Sequence, residues 1–319
     1  MIHEAMRWEK KGFVWNPDHI ADWWVSHTMA PTAILKDDKT IRIYIGCWQE
    51  GPLSRIGYVD VAADNPAQVL GWSEVPLVDI GGPGTFDEAG VFPAHVTKLE
   101  DGRVYLYYTG FQHSVAPEVD HFNFCGLAVS DDGGDTFTKV SKAPVLDRAD
   151  EGLHVRAGVS VVEDKAADGA EVFRCVYSAG SGFSSVGGKL RPYYEVFYQD
   201  SADGIQFARQ GRKIVALDKT AEHGLGRPQI VKIGDNWYVF YTRRTLDMKY
   251  TIGCAWSPDR VTWQRIDDWV AIPHGVAGAF DDEFVYFPCV VEAHGRHYLF
   301  YCGNGYGRTG FGYAELVAR

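Results

Sequence analysis

Acidic residues gather just ahead of apolar, proline-anchored runs. In "TFDEAGVFP" Asp87 and Glu88 stand six and five residues before Pro93, and in "DDEFVYFP" Asp282 and Glu283 stand at the same distances before Pro288, followed by Tyr286. Carboxylates that converge on one pocket can divide the roles of proton donor and base or nucleophile, which is the chemistry of glycosidic cleavage. Three other lead-ins carry polar groups. "EGLHVRAG" has Glu151, His154 and Arg156, "AEHGLGRP" has Glu222, His223 and Arg227, and "WWVSHTMAP" has Ser26 and His27. The expected catalytic set is Asp87, Glu88, Glu222, Asp282 and Glu283. The expected ligand-binding set is His27, His154, Arg156, His223, Arg227, Arg243 and Tyr286. Guanidinium groups aimed into a pocket favour a carboxylate or phosphate on the ligand, and the competing reading pairs them with the acids in a buried ionic ring.

The elements that would position these groups are short runs rich in Val, Tyr, Phe and Trp, with no sustained helical period, so the chain reads as all-β. The runs repeat. First strands anchored at Pro31, Pro93, Gly158, Pro228 and Pro288 recur at steps of 62, 65, 70 and 60 residues. Each is followed by an aromatic strand ("GRVYLYYTGF", "DNWYVFYTRR", "GRHYLFYCGN") and an alternating strand ("SRIGYVDV", "YTIGCAWS"). Four of the five units add a short fourth strand. Four strands in each of five units predicts a five-bladed β-propeller forming a single domain over residues 1–319. "AMRWEKKGFVW" near the start supplies the strand that the last blade lacks. In such a ring the starts of the first strands converge, which places the acids and cations above in one central pocket. "SDDGGDTF" (130–137), "SADGIQF" and "SPDRVTW" read as hairpin turns set by Asp and Gly at the periphery.

With a net charge of −11 over 319 residues, clustered phosphate neutralisation is disfavoured, so neither nucleic acid nor an anionic membrane is the expected partner. A small carbohydrate or glycoside, anionic or accompanied by phosphate, is. The opening is polar almost at once and no run of 18 apolar residues exists, which points to a cytoplasmic protein. The six cysteines sit in strand-like runs without C-x-x-C spacing, so free thiols are expected, with no bound metal and no cofactor.

The repeat, the proline-anchored lead-ins and the closing "FPCVVEAHGRHYLFYCGNGYGRTGFGYAEL" resemble the five-bladed propeller superfamily of glycoside hydrolase families 32, 43, 68 and 130. The resemblance covers essentially the whole chain. It implies a glycoside hydrolase or glycoside phosphorylase, or a propeller that binds sugar without turnover. It also implies that Asp87 matches the second-blade acid that stabilises the transition state or tunes a pKa, with Glu222 or Glu151 as the later proton donor. The first blade departs from the pattern, since His27 stands where an Asp is usual and Asp22 lies five residues further back. Family 130 is the nearer likeness in the last blade. Its phosphorolytic members hold phosphate with Arg and His, a part open here to His154, Arg156, His223, Arg227 and Arg243.

Overall fold

A computed structural model describes residues 6–51, 53–115, 119 and 121–318. Strand β1 (Arg7–Trp15) is followed by β2 (Ser26–Asp37), β3 (Thr40–Trp48), β4 (Ser54–Ala62) and β5 (Val69–Trp72). Next come β6 (Val91–Lys98), β7 (Val104–His113), β8 (His121–Ser130) and β9 (Thr138–Lys139), then β10 (Val155–Lys165), β11 (Glu171–Val186), β12 (Lys189–Ser201) and β13 (Arg212–Val215). The last are β14 (Glu222–Ile233), β15 (Asn236–Thr245), β16 (Thr251–Ser257), β17 (Gln264–Arg265), β18 (Tyr286–Ala293), β19 (Arg296–Cys302) and β20 (Phe311–Ala318). The chain is thus almost entirely β. No helix among the described residues is long and apolar enough to cross a membrane.

Pairing within each group is antiparallel and sequential. The orders are β2-β3-β4-β5, β14-β15-β16-β17 and β1-β20-β19-β18, while β6 to β9 and β10 to β13 are joined in one larger sheet. The join is a short parallel contact, Val155 with Asn123 and Arg156 with Phe124. β1 runs antiparallel to β20 beside the last group.

Alternation drives the packing. Residues of one parity on each middle strand meet the preceding group and those of the other parity meet the following one. Five apolar clusters therefore lie between successive groups. Ile43, Val59, Cys289 and Phe300 share one, and Tyr44, Val91 and Leu106 another. The remaining three join the other neighbours in turn. All six cysteines are buried free thiols, and all but Cys302 lie within these layers.

The inner strands β2, β6, β10, β14 and β18 are stitched to one another in a cycle. Thr32 accepts the backbone N–H of Val96, His95 that of Val161, Ser160 that of Ile230, Gln229 that of Val290, and the Cys289 thiol that of Ala33. Each strand both gives and receives. Just ahead of these five positions every inner strand also breaks its register with its neighbour. Three of the breaks carry a non-glycine residue at positive φ, Ala30 (54°), Arg227 (47°) and Phe287 (56°), and a fourth has Gly158 at 66°. Such conformations persist only where the surroundings hold them, and bulges of this kind re-aim side chains. At Gly158 an added Cβ would come within 3.0 Å of the Arg227 Cα, so only glycine lets β10 approach β14 this closely.

Candidate functional site

A cavity of about 320 Å³ opens at the head of the five inner strands, with Met29, Phe92, Ala157, Arg227 and Phe287 each contributed by a different one. The strand starts do converge. Its floor is Arg227, 5% exposed. This guanidinium donates to the carbonyls of Pro31 (2.6 Å), Phe287 (3.1 Å), Pro93 (3.3 Å) and Pro288 (3.3 Å) and so ties β14 to β2, β6 and β18. Burial without a carboxylate partner pulls its pKa down to about 10.

The walls are largely apolar, with many aromatic rings. Trp48, Phe92, Phe111, Phe183, Tyr194, Phe287 and Tyr306 surround Thr109, Asn123, Ser178 and the bases His121, His154, Arg191 and Arg244. Among the described residues no Asp or Glu lines it. His154, 3% exposed, stacks on Phe183 with ring centroids 4.5 Å apart, and its Nε2 has no partner. Burial lowers its pKa to about 4, so it presents a neutral imidazole. One layer behind, His27 stacks on Trp48 at 4.1 Å and meets the Ser26 hydroxyl at 2.8 Å. His223 lies 3.3 Å from the Tyr250 hydroxyl. Burial lowers both histidines to about 4, helped by Arg308 at His27 and by Arg244 and Arg191 at His223. Tyr286 is buried behind Phe287, stacked on it at 4.5 Å.

The acids expected beside these groups are engaged elsewhere. Asp87, 2% exposed, accepts from Lys139 Nζ (2.6 Å) and the Tyr108 hydroxyl (3.2 Å). Asp281 repeats the arrangement with Lys10 Nζ (2.6 Å) and the Tyr301 hydroxyl (2.9 Å). Glu151 takes Arg156 Nε (3.0 Å) and the Tyr177 hydroxyl (2.6 Å). Glu222 is held by Arg243 Nε (2.6 Å) and Arg265 Nη2 (2.7 Å), and these two arginines hold it ionised against the cost of burial. The competing ionic reading pairs the arginines with Asp87, Glu88, Asp282 or Glu283, whereas Arg156 and Arg243 are in ion pairs with Glu151 and Glu222. Both point away from the cavity wall and into these pairs. Glu88 and Asp282 accept the loop N–H groups of Gly84 (2.5 Å) and Gly278 (2.7 Å), and Glu283 is exposed.

The match between the two acid pairs is also shifted by one. Asp87 corresponds to Asp281, because Gly81 N–H bonds the Asp87 carbonyl as Gly275 N–H bonds that of Asp281, and Glu88 corresponds to Asp282. Counting back from the proline gave the wrong partner because the fifth lead-in holds one extra residue.

Of the expected ligand-binding residues the cavity wall therefore includes His154 and Arg227, with His27, His223 and Tyr286 directly behind it. Sequence reasoning missed Arg191, Tyr194 and Phe183, which come from the hairpin of β11 and β12, strands of 16 and 13 residues that outreach the others. It also chose the wrong member of an adjacent pair. Arg244, not Arg243, faces the cavity, and strand alternation could have told them apart, since Arg244 shares its face with Thr242 and Arg243 with Tyr241. Among the described residues no group of three or more His, Cys, Asp or Glu side chains is placed to hold a metal ion.

No family model matches this sequence. An uncharacterized protein of Mycobacterium tuberculosis is 28% identical over 313 residues, covering 98% of this chain and 99% of that one. Among solved structures, a glycoside hydrolase superposes with a TM-score of 0.69 at 21% identity, covering 99% of this chain and 93% of its own. A structure from the GH130 family of mannoside phosphorylases, which contains glycoside hydrolases targeting β-1,2-mannosidic linkages, gives 0.70 at 16% identity, covering 99% and 95%. A thermostable family-43 glycoside hydrolase gives 0.62 at 12% identity, covering 97% and 91%. The fold is that of propeller glycoside hydrolases.

Proposed function

We propose that this chain is a carbohydrate-active enzyme that takes a glycosyl ligand in the cavity at the head of the inner strands. The cavity carries the reading. Its aromatic walls suit the C–H faces of a sugar ring, while Asn123, Thr109, Ser178, His121 and His154 offer the few convergent polar groups that fix hydroxyls. The shared fold with glycoside hydrolases and mannoside phosphorylases supports carbohydrate chemistry.

The scaffold we read as one domain, a five-bladed propeller closed by β1. The cyclic stitching of five inner strands supports this. So does Lys10 on β1, which meets Asp281 and Tyr301 as Lys139 on the outer strand β9 meets Asp87 and Tyr108.

A second reading, sugar binding without turnover, is favoured because no carboxylate among the described residues lines the cavity, whereas hydrolysis by paired acids needs both within a few ångströms of the bond. A panel of aryl glycosides with and without inorganic phosphate separates these possibilities. Release of the aryl group is the expected outcome, and its dependence on phosphate assigns hydrolysis or phosphorolysis. Saturable sugar binding with no release establishes the second reading. The absence of both removes the carbohydrate assignment.

A further inference from the structure

Among the described residues no carboxylate lies within ion-pair distance of Arg191, Arg227 or Arg244, although most other arginines that are largely buried have one. Arg227 is satisfied by carbonyls. Arg244 is not. Its terminal nitrogens donate to three phenols, Tyr194, Tyr250 (3.1 Å) and Tyr306 (3.3 Å), and its Nε is buried without a partner. The Arg191 Nε is likewise buried and unpartnered.

A phenol that accepts a hydrogen bond from a guanidinium keeps its own hydrogen to donate. Tyr194 and Tyr306 line the cavity together with Arg244 and Arg191, so this corner is rich in donors and, among the described residues, holds no anionic acceptor. A buried cation is costly unless it is paired, and an anion brought by a ligand would supply that pairing. Much of the remaining wall is apolar, Trp48, Phe92, Phe111, Phe183 and Phe287 among it, so the anion that enters should be attached to a body with apolar faces.

We propose that this corner receives the negatively charged substituent of an acidic sugar, a carboxylate or a phosphate ester, with Arg244 as its main contact and Arg191, Tyr194 and Tyr306 completing the donors. The proposal rests on the reading of the cavity as a glycosyl site and specifies the class of sugar. Arg191 and Tyr194 come from the long β11–β12 hairpin, Arg244 from β15 and Tyr306 from the segment between β19 and β20, so three successive strand groups build the corner.

Titration calorimetry on the full chain tests it. The probes are glucuronate, galacturonate and N-acetylneuraminate against their methyl esters, glucose 6-phosphate and mannose 6-phosphate against the free hexoses, and inorganic phosphate alone. At least one acidic sugar should bind about tenfold or more tightly than its neutral counterpart. Arg244→Gln should bring that preference to within about twofold. Arg191→Gln, on the hairpin and away from the inner strands, should reduce it in the same direction and carries the test if Arg244→Gln does not fold. Neutral sugars that bind as tightly as their acidic counterparts would overturn the acidic-sugar proposal and leave the glycosyl reading standing. Binding of inorganic phosphate without any acidic sugar would move the anion to a co-substrate and overturn it too. A preference that survives both substitutions places the charge recognition elsewhere. If nothing in the panel binds, both readings fall.

Discussion

At the scale of single residues, what decides a side chain's role here is the strand that arrives beside it. Asp87 looks poised for proton transfer in the sequence, yet Lys139, 52 residues away, and Tyr108 occupy its carboxylate. Replacing it with Asn removes the charge that Lys139 faces in a largely buried setting. Asp87→Asn is therefore expected to lower unfolding stability by about 1–3 kcal/mol in urea titrations while leaving ligand affinity in the cavity unchanged. A variant of full stability that loses ligand affinity or turnover would return Asp87 to the candidate catalytic groups. The basic residues were legible in part. His154 and Arg227 were found because they lie at the strand heads, where the repeat itself pointed. Arg244 was passed over for its neighbour because alternation was not applied across the pair. The turns set by Asp and Gly were legible, since their bonding is local. Asp132 accepts from the N–H of Asp135 and Thr136 and from the Thr136 hydroxyl, which needs nothing from the rest of the chain.

At the scale of elements, the strands were legible because aromatic and β-branched alternation fixes both their existence and their faces. Their lengths were not. The β11–β12 hairpin looks like any other in the sequence, and only its antiparallel pairing from Phe173 with Ser201 out to Val186 with Lys189 shows how far it extends. That extension carries Phe183, Arg191 and Tyr194 to the cavity. Replacing residues 183–192 by a two-residue turn should leave the melting temperature within a few degrees, since this segment adds little to the apolar clusters, while weakening ligand binding by about tenfold or more. A thermal melt together with the calorimetric panel checks both halves. An unchanged affinity would mean that the hairpin contributes no contact. The one-residue offset between the second and fifth lead-ins has the same origin as the missed hairpin. Insertions in loops leave the strand pattern intact, and pattern is what sequence reading measures.

At the scale of the whole molecule, the five inner strands share one set of bonds, and four buried histidines lie on β2, β6 and β14 and just ahead of β10. His27, His154 and His223 are lowered to about 4 and His95 to about 3, in each case by burial first, with Arg227 adding to the effect at His95. A histidine whose folded pKa lies below its unfolded value, near 6.5, binds protons more readily once the chain unfolds. The folded state is therefore favoured in full above about pH 6.5 and loses that advantage as pH falls towards 4. Melting temperature should be level between pH 7 and 8 and fall between about pH 6 and 4.5, with His154→Gln showing a shallower decline. A melting temperature that rises through this window would contradict neutral histidines in the fold.

In the five-bladed ring that we propose, Arg227 and the five stitches beneath it fill the centre, since Thr32, His95, Ser160, Gln229 and Cys289 are all buried. The cavity of that ring is a cup, blind at its base. Whatever enters must leave by the same mouth, and a long polymer cannot be threaded through it. Only the terminus of a chain, or a molecule with no chain at all, can reach the floor.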